Sequence, residues 1–291
     1  RNVDFYTRVL GLRLVKKSVN QDDPTVYHLF YADEQGSAGS DITFFEYRGA
    51  APGIAGAGMV HTVVWRVRSP EALDFWAARL AAEGRAVERD DALLRFEDPE
   101  GLRHELVVAN VPDEPLVADH PEISRELALQ GFDGVRAFAR ESERRSGPFV
   151  EALGFAPIGP GVWETRAEAR GGWISYEPAP SEPGVPGAGT VHHVAWSSTM
   201  AEHEAWRQRV AAAGGRPTPA IDRFWFRSIY FREPSGVLFE IATLGPGFAT
   251  DEDPAHLGET LILPPAFEHL RAQVEPLLTP LPNPRESWTR A

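Results

Sequence analysis

The strongest constraint on this chain's fold is an internal repeat. Phe96-Glu97-Asp98-Pro99-Glu100-Gly101-Leu102-Arg103-His104-Glu105 and Phe231-Arg232-Glu233-Pro234-Ser235-Gly236-Val237-Leu238-Phe239-Glu240 both read Phe-x-acid-Pro-x-Gly-x-x-x-Glu. Such a frame predicts a strand, a tight turn and a second strand ending in a carboxylate. Proline fixes φ in the turn and glycine supplies a permissive backbone there. Self-similarity on this scale dictates architecture before any single element is placed.

The repeat extends upstream of both copies. Val60-His61-Thr62-Val63-Val64-Trp65 precedes a helix predicted to start at Ser69-Pro70, and Val191-His192-His193-Val194-Ala195-Trp196 precedes one predicted over about 200–213, closed by Gly214-Gly215. Ser then Pro is a favourable N-cap and first helical residue. Two weaker copies fill the remainder. An opening helix ends at Gly11 and leads to a strand at 41–46. A third unit starts near Gly134, has its helix over about 148–153 before Gly154, and ends in a strand at 172–177. The helix-ending glycines Gly11, Gly84, Gly154 and Gly214 are 73, 70 and 60 residues apart. That is too long for a solenoid repeat and matches a βαβββ module. Gly/Pro-rich stretches at 49–58 and 178–187 separate modules one from two and three from four. The chain opens inside an amphipathic pattern, so the first strand of module one is expected upstream of Arg1.

We therefore expect an α+β fold of four βαβββ modules paired into two curved-sheet domains. The expected boundaries are 1–115 for modules one and two, 120–245 for modules three and four, and 246–291 for a C-terminal tail with a short helix after Pro264-Pro265. Each module begins with a strand that can carry a histidine and ends with one that can carry a glutamate. Module four does both, at His193 and Glu240. Glu240 lies between Leu238-Phe239 and Ile241-Ala242, and a carboxylate among apolar neighbours is costly unless paired or metal-bound. Module two does both at His61 and Glu105, but module three offers Gly134 where a histidine would be needed, so this pair reads as structural. Glu46 and Glu177 hold the same strand-end place. Glu46 belongs to the module expected to pair with module four, which would bring it near the site. His28 and Asn20 receive no role.

Composition narrows the chemistry. Cysteine is absent, which removes disulfides, thiolate ligands and a cysteine nucleophile. Any metal must then be held by His, Asp and Glu, which suit iron(II), manganese(II) or zinc. A formal charge of −13 argues against nucleic acid or anionic membranes as main partners. No apolar run reaches the ~20 residues of a membrane span. The cytoplasm is the expected location, and a homo-oligomer is compatible with the sequence.

With these motifs the chain resembles the vicinal oxygen chelate superfamily, which includes glyoxalase I, bleomycin-resistance proteins and extradiol dioxygenases. It is most similar to the four-module ring-cleaving dioxygenases that act on hydroquinones, through 2–20, Tyr27-His28-Leu29, Thr43-Phe44-Phe45, 245–252 and Leu257-Gly258-Glu259. The resemblance implies iron(II), with manganese(II) or zinc as alternatives, held by His193 and Glu240. It implies supporting roles for His192, Arg223 and Tyr230, which would orient the substrate and move protons. The residues alone read more plainly: His192 on the opposite face of the strand from His193, Tyr230 as a core aromatic, Arg223 as a solvated loop charge. The family's remaining ligand sits in a His-His-x-Thr strand ahead of the opening helix. This sequence begins after it, and a chain without that strand is expected to bind metal poorly and be inactive. The implied function is extradiol-type cleavage of a hydroquinone-like or catechol-like ring with both atoms of dioxygen incorporated. The partners are then a small aromatic and dioxygen. The alternatives are a glyoxalase-like isomerase or lyase and a metal-free protein that binds a small aromatic.

Overall fold

The long repeat appears in the computed structural model as four successive modules; the structure describes residues 1–140, 146–286 and 288. Module one contains α1 (Asn2–Asp4), continued by a π-helical turn (Phe5–Val9), then β1 (Arg13–Asn20), β2 (Asp23–Ala32) and β3 (Ile42–Phe45). Module two is β4 (Met59–Val67), α2 (Pro70–Ala82), β5 (Val87–Arg89), β6 (Leu93–Glu97) and β7 (Arg103–Val108). Module three is β8 (Phe132–Ala139), α3 (Ser146–Ala152), β9 (Ala156–Gly159), β10 (Val162–Arg166) and β11 (Gly171–Pro178). Module four is β12 (Val194–Ser198), α4 (His203–Ala212), β13 (Ile221–Asp222), β14 (Arg227–Arg232) and β15 (Leu238–Thr243). The tail forms short 3-10 turns and α5 (Arg271–Val274), with a 3-10 helix (Pro265–Leu270) after Pro264. Residues 287 and 289–291 of the expected tail lie outside the described residues.

Local chemistry explains these elements. Ser69 caps α2, its hydroxyl accepting from the backbone N–H of Ala72, and Pro70 occupies the first turn. Gly84 follows α2 at φ +71°, a left-handed conformation in which other residues are strained. In both Phe-x-acid-Pro-x-Gly turns the acid folds back onto the turn. Asp98 accepts from the N–H groups of Glu100 and Leu102, and Glu233 from those of Ser235 and Val237. The acid of the repeat thus satisfies backbone donors that the turn would otherwise leave unpaired.

Within modules two, three and four the first strand pairs in parallel with the last: β4 with β7, β8 with β11 and β12 with β15. Modules two and three share one sheet, ordered β5-β6-β7-β4-β8-β11-β10-β9, through antiparallel β4 and β8. Module one forms a sheet β1-β2-β3 and module four a sheet β12-β15-β14-β13. The cores divide differently from the sheets. One gathers modules one and two around Tyr6, Trp65 and Trp76, and another gathers modules three and four around Phe149, Val210 and Phe239. A third joins the end modules, with Val15 and Phe30 packed against Trp225, Phe248 and Leu257. Sheet pairing crosses the connection at 110–121, and so do the cores: Val60 of β4 packs into the core of modules three and four, and Ile123 and Leu129 into that of modules one and two. Among the described residues no helix is long and apolar enough to cross a membrane.

At the junction of modules one and four, Lys16 is fully buried. Its ammonium donates to the carbonyl of Phe248 at 2.9 Å, pairs with Asp251 at 2.8 Å and with Glu252, and lies 4.9 Å from the Trp225 ring centroid. This cluster fastens the start of the tail across the face where the two modules meet.

Candidate metal centre

Strand periodicity decides which residues of module four can meet. Ile229, Phe231, Phe239 and Ile241 enter the core. The alternate positions Ser228, Tyr230, Glu240 and Ala242 therefore share the opposite face, with Tyr230 directly opposite Glu240 and Ser228 opposite Ala242. The Glu240 side chain is only 5% exposed, so its charge must be answered by the protein. His193 Nε2 lies 2.8 Å from Glu240 Oε2, and the Ser228 hydroxyl donates to Glu240 Oε1. Burial works against ionisation of this carboxyl. The contacts from His193, Ser228 and Tyr230 outweigh it and hold the group below the usual carboxylate range.

His192 and His193 precede β12, which begins at Val194. The alternation that would send neighbouring side chains to opposite faces does not apply there. Their Nδ1 atoms approach to 2.9 Å and their rings meet edge to face at 5.2 Å. Tyr230 stands edge-on to His193 at 5.9 Å. Its phenol is pushed up to about 12, first by burial and then by the charge of Glu240.

Arg223 comes from the turn ahead of β14. Phe224 in that turn holds φ +73°, an uncommon and strained conformation for a bulky residue. The Phe224 N–H donates to the Asp222 carboxylate and the Arg223 N–H to the Phe226 carbonyl, which fixes the turn. Its guanidinium lies 5.9 Å from the Tyr230 ring centroid and pairs with Asp22 of module one at 3.0 Å. Arg223 is thus engaged on both sides, unlike the solvated loop charge that local sequence suggested.

The donor chemistry fits a divalent cation. An imidazole nitrogen and a buried carboxylate oxygen converge, a donor set that suits iron(II), manganese(II) or zinc. The pair offers two ligands. Among the described residues no group of three or more His, Asp and Glu is placed to hold a metal ion.

The equivalent residues of modules two and three are spent otherwise. Glu105 is claimed by Arg95 and Arg136, each at 2.9 Å, and Arg136 also reaches Glu177 at 3.0 Å. His61 stacks on Phe138 at 3.8 Å and lies 3.3 Å from Glu177. At Gly134 an added Cβ would sit 2.2 Å from the Trp173 ring and 2.5 Å from its carbonyl, so no side chain fits there. Glu46 follows β3 and accepts from the Thr279 hydroxyl of the tail at 2.8 Å. Asn20 serves the β1–β2 turn, its carbonyl accepting from the Asp22 N–H.

Sequence reading passed over Ser228. Its signal was the period of two: Ser228 and Tyr230 had to share a face, and the hairpin brought that face to Glu240.

The sequence pattern of the "Glyoxalase/Bleomycin resistance protein/Dioxygenase superfamily" matches residues 1–106 and 147–241, more than half of the chain. The chain belongs to this superfamily. Among its relatives is "Putative ring-cleaving dioxygenase MhqO" of Bacillus subtilis, 38% identical over 96% of this chain and 91% of its own length. "Chlorohydroquinone/hydroquinone 1,2-dioxygenase" of Sphingobium indicum is 30% identical, covering 94% of this chain and 90% of its own. A crystal structure of a "putative dioxygenase" from Bacillus subtilis superimposes with a TM-score of 0.88 at 37% identity, over 96% of this chain and 92% of that one. The four-module α+β reading is thus matched by a solved structure along nearly the whole chain.

Proposed function

We propose that this protein is a metal-dependent ring-cleaving dioxygenase acting on a hydroquinone-like or catechol-like aromatic. The observation that carries the reading is the His193–Glu240 pair. A buried carboxylate and an imidazole meet at 2.8 Å on a module face shared with Tyr230, in a chain whose nearly full-length relatives are named as a ring-cleaving dioxygenase and a hydroquinone dioxygenase. His193 and Glu240 would hold iron(II), with manganese(II) or zinc as the other candidates, and the ion supplies the redox link between dioxygen and a phenolic substrate. The overall change is insertion of both oxygen atoms with scission of one ring carbon–carbon bond.

The chain's own groups have definite tasks in this reading. The guanidinium of Arg223 attracts the oxygen of a phenolate-like substrate and orients it. Tyr230, kept protonated by burial and by Glu240, donates a proton or hydrogen bond at the substrate oxygen. His192, exposed and in contact with His193, exchanges protons with solvent. Ser228 and Tyr230 hold the Glu240 carboxylate in place.

The test is full-length protein loaded anaerobically with iron(II) and assayed in an oxygen electrode on hydroquinones and catechols. One molecule of dioxygen should be consumed per ring opened, and His193→Ala or Glu240→Ala should lose both metal and activity. No uptake with any dihydroxybenzene sinks the reading. A variant of either residue that keeps full metal content sinks the ligand assignment.

A further inference from the structure

Module one turns one face of its sheet toward module four, and strand register says which side chains lie there. Ser18 is opposite His28, Lys16 opposite Phe30, His28 opposite Phe45, and Phe30 opposite Thr43. The direction of this face is set by its contacts. Phe30 meets Phe226 and Phe248 at centroid distances of 6.4 and 5.0 Å, and Gln21 donates to the carbonyl of Arg223 at 2.8 Å. The alternate residues Val19, Tyr27, Leu29 and Tyr31 belong to the core around Tyr6.

On this inward face the His28 ring lies between Phe30 and Phe45, at 4.0 and 4.4 Å. Its Nε2 is buried without a hydrogen-bond partner among the described residues. The same holds for Ser18 Oγ directly opposite and for Asp41 Oδ1, just ahead of β3. Leaving a buried polar atom unpaired costs about 1–3 kcal/mol, and folded proteins pair the large majority. Two such atoms facing each other across a strand pair, inside an aromatic wall, have the character of a ligand subsite. The turn that carries Arg223 borders this face, since Gln21 donates to the Arg223 carbonyl. After burial, the charges that bear most on His28 are those of His193 and Arg223, and Glu240 bears on Asp41.

We infer that His28, with Ser18 beside it, hydrogen-bonds a polar substituent of the bound aromatic at the end of the ring remote from His193 and Glu240. His28 thereby selects which ring substitution is accepted. A second phenolic hydroxyl across the ring is the group that fits, because an imidazole and a serine hydroxyl can each donate to it or accept from it. Phe30 and Phe45 would flank the ring. The inference rests on the ring-cleaving reading for its ligand class.

Binding tests it without turnover. Full-length, zinc-loaded protein is titrated under argon with hydroquinone and with phenol, which lacks the second hydroxyl, and tryptophan fluorescence is followed. One good hydrogen bond gives hydroquinone a preference of about tenfold in Kd. In His28→Phe that preference should fall to about twofold or less with phenol binding unchanged, and His28→Gln, which keeps a donor and an acceptor, should retain most of it. The inference is overturned if wild type shows no preference, if His28→Phe keeps the full preference, or if it weakens both ligands equally. Failure of the dioxygenase reading is separate: the iron-loaded protein would consume no oxygen while the binding preference stayed measurable.

Discussion

Removing the Ser228 hydroxyl probes whether the support beneath Glu240 governs metal binding. Ser228 is fully buried and Glu240 nearly so, and the Ser228 hydroxyl donates to the carboxylate oxygen that His193 does not contact. Ser228→Ala deletes a hydrogen bond to a buried charged group, worth about 1.5–3 kcal/mol. Support of this kind around a ligand governs metal affinity by about 10–100-fold, or about 1.4–2.7 kcal/mol, so two independent scales agree. The assay is zinc titration calorimetry, with urea unfolding of the metal-free protein measured in parallel. Zinc affinity should fall about 10–100-fold and metal-free stability by about 1.5–3 kcal/mol. Ser198→Ala serves as the control, because Ser198 is also buried but contacts His203 and the Ala242 carbonyl, and its zinc affinity should match wild type. If Ser228→Ala lost stability yet held zinc within about twofold of wild type, the serine would support the sheet and not the ligand.

Two further perturbations test the frame around the site. Burial pushes His104 down to about 4; Trp65 Nε1 donates to its Nδ1 at 3.0 Å, so the neutral ring carries its proton on Nε2, toward the Tyr6 hydroxyl at 3.1 Å. Because the folded value lies below the ordinary one of 6.5, the contribution is complete above that pH and is lost as pH falls from 6.5 toward 4. That loss amounts to about 3 kcal/mol, so urea unfolding from pH 7.5 to 4 should steepen less for His104→Gln than for wild type by about that amount; parallel curves would refute the assignment. Lys16→Met strands Glu252, whose side chain is 5% exposed, together with Asp251. It should cost about 3–5 kcal/mol and speed hydrogen exchange across 245–260, and an unchanged exchange rate there would show that Lys16 does not fasten the tail.

Much of this protein was legible in the order of its residues. The Phe-x-acid-Pro-x-Gly frame and the helix-ending glycines are local devices, set by φ preferences and turn hydrogen bonds, so they mark the modules wherever these pack. His193 and Glu240 could be singled out for the same reason: His193 comes just before the first strand of the module and Glu240 sits on its last, and those strands pair in parallel. Other features depended on long-range approach. Neighbouring His192 and His193 could meet only because β12 starts one residue later. Arg223 met module one through Asp22, a residue of the opposite end module. The role of Glu105 was decided by Arg136, which only the shared sheet of modules two and three brings alongside it. His28 received no role from the sequence; the tertiary structure leaves its Nε2 buried with no hydrogen-bond partner among the described residues, between Phe30 and Phe45. Sequence by itself determined the modules, because they rest on short-range backbone chemistry. Tertiary structure alone decided which charges are answered by protein and which face the site, because that depends on modules meeting across more than two hundred residues.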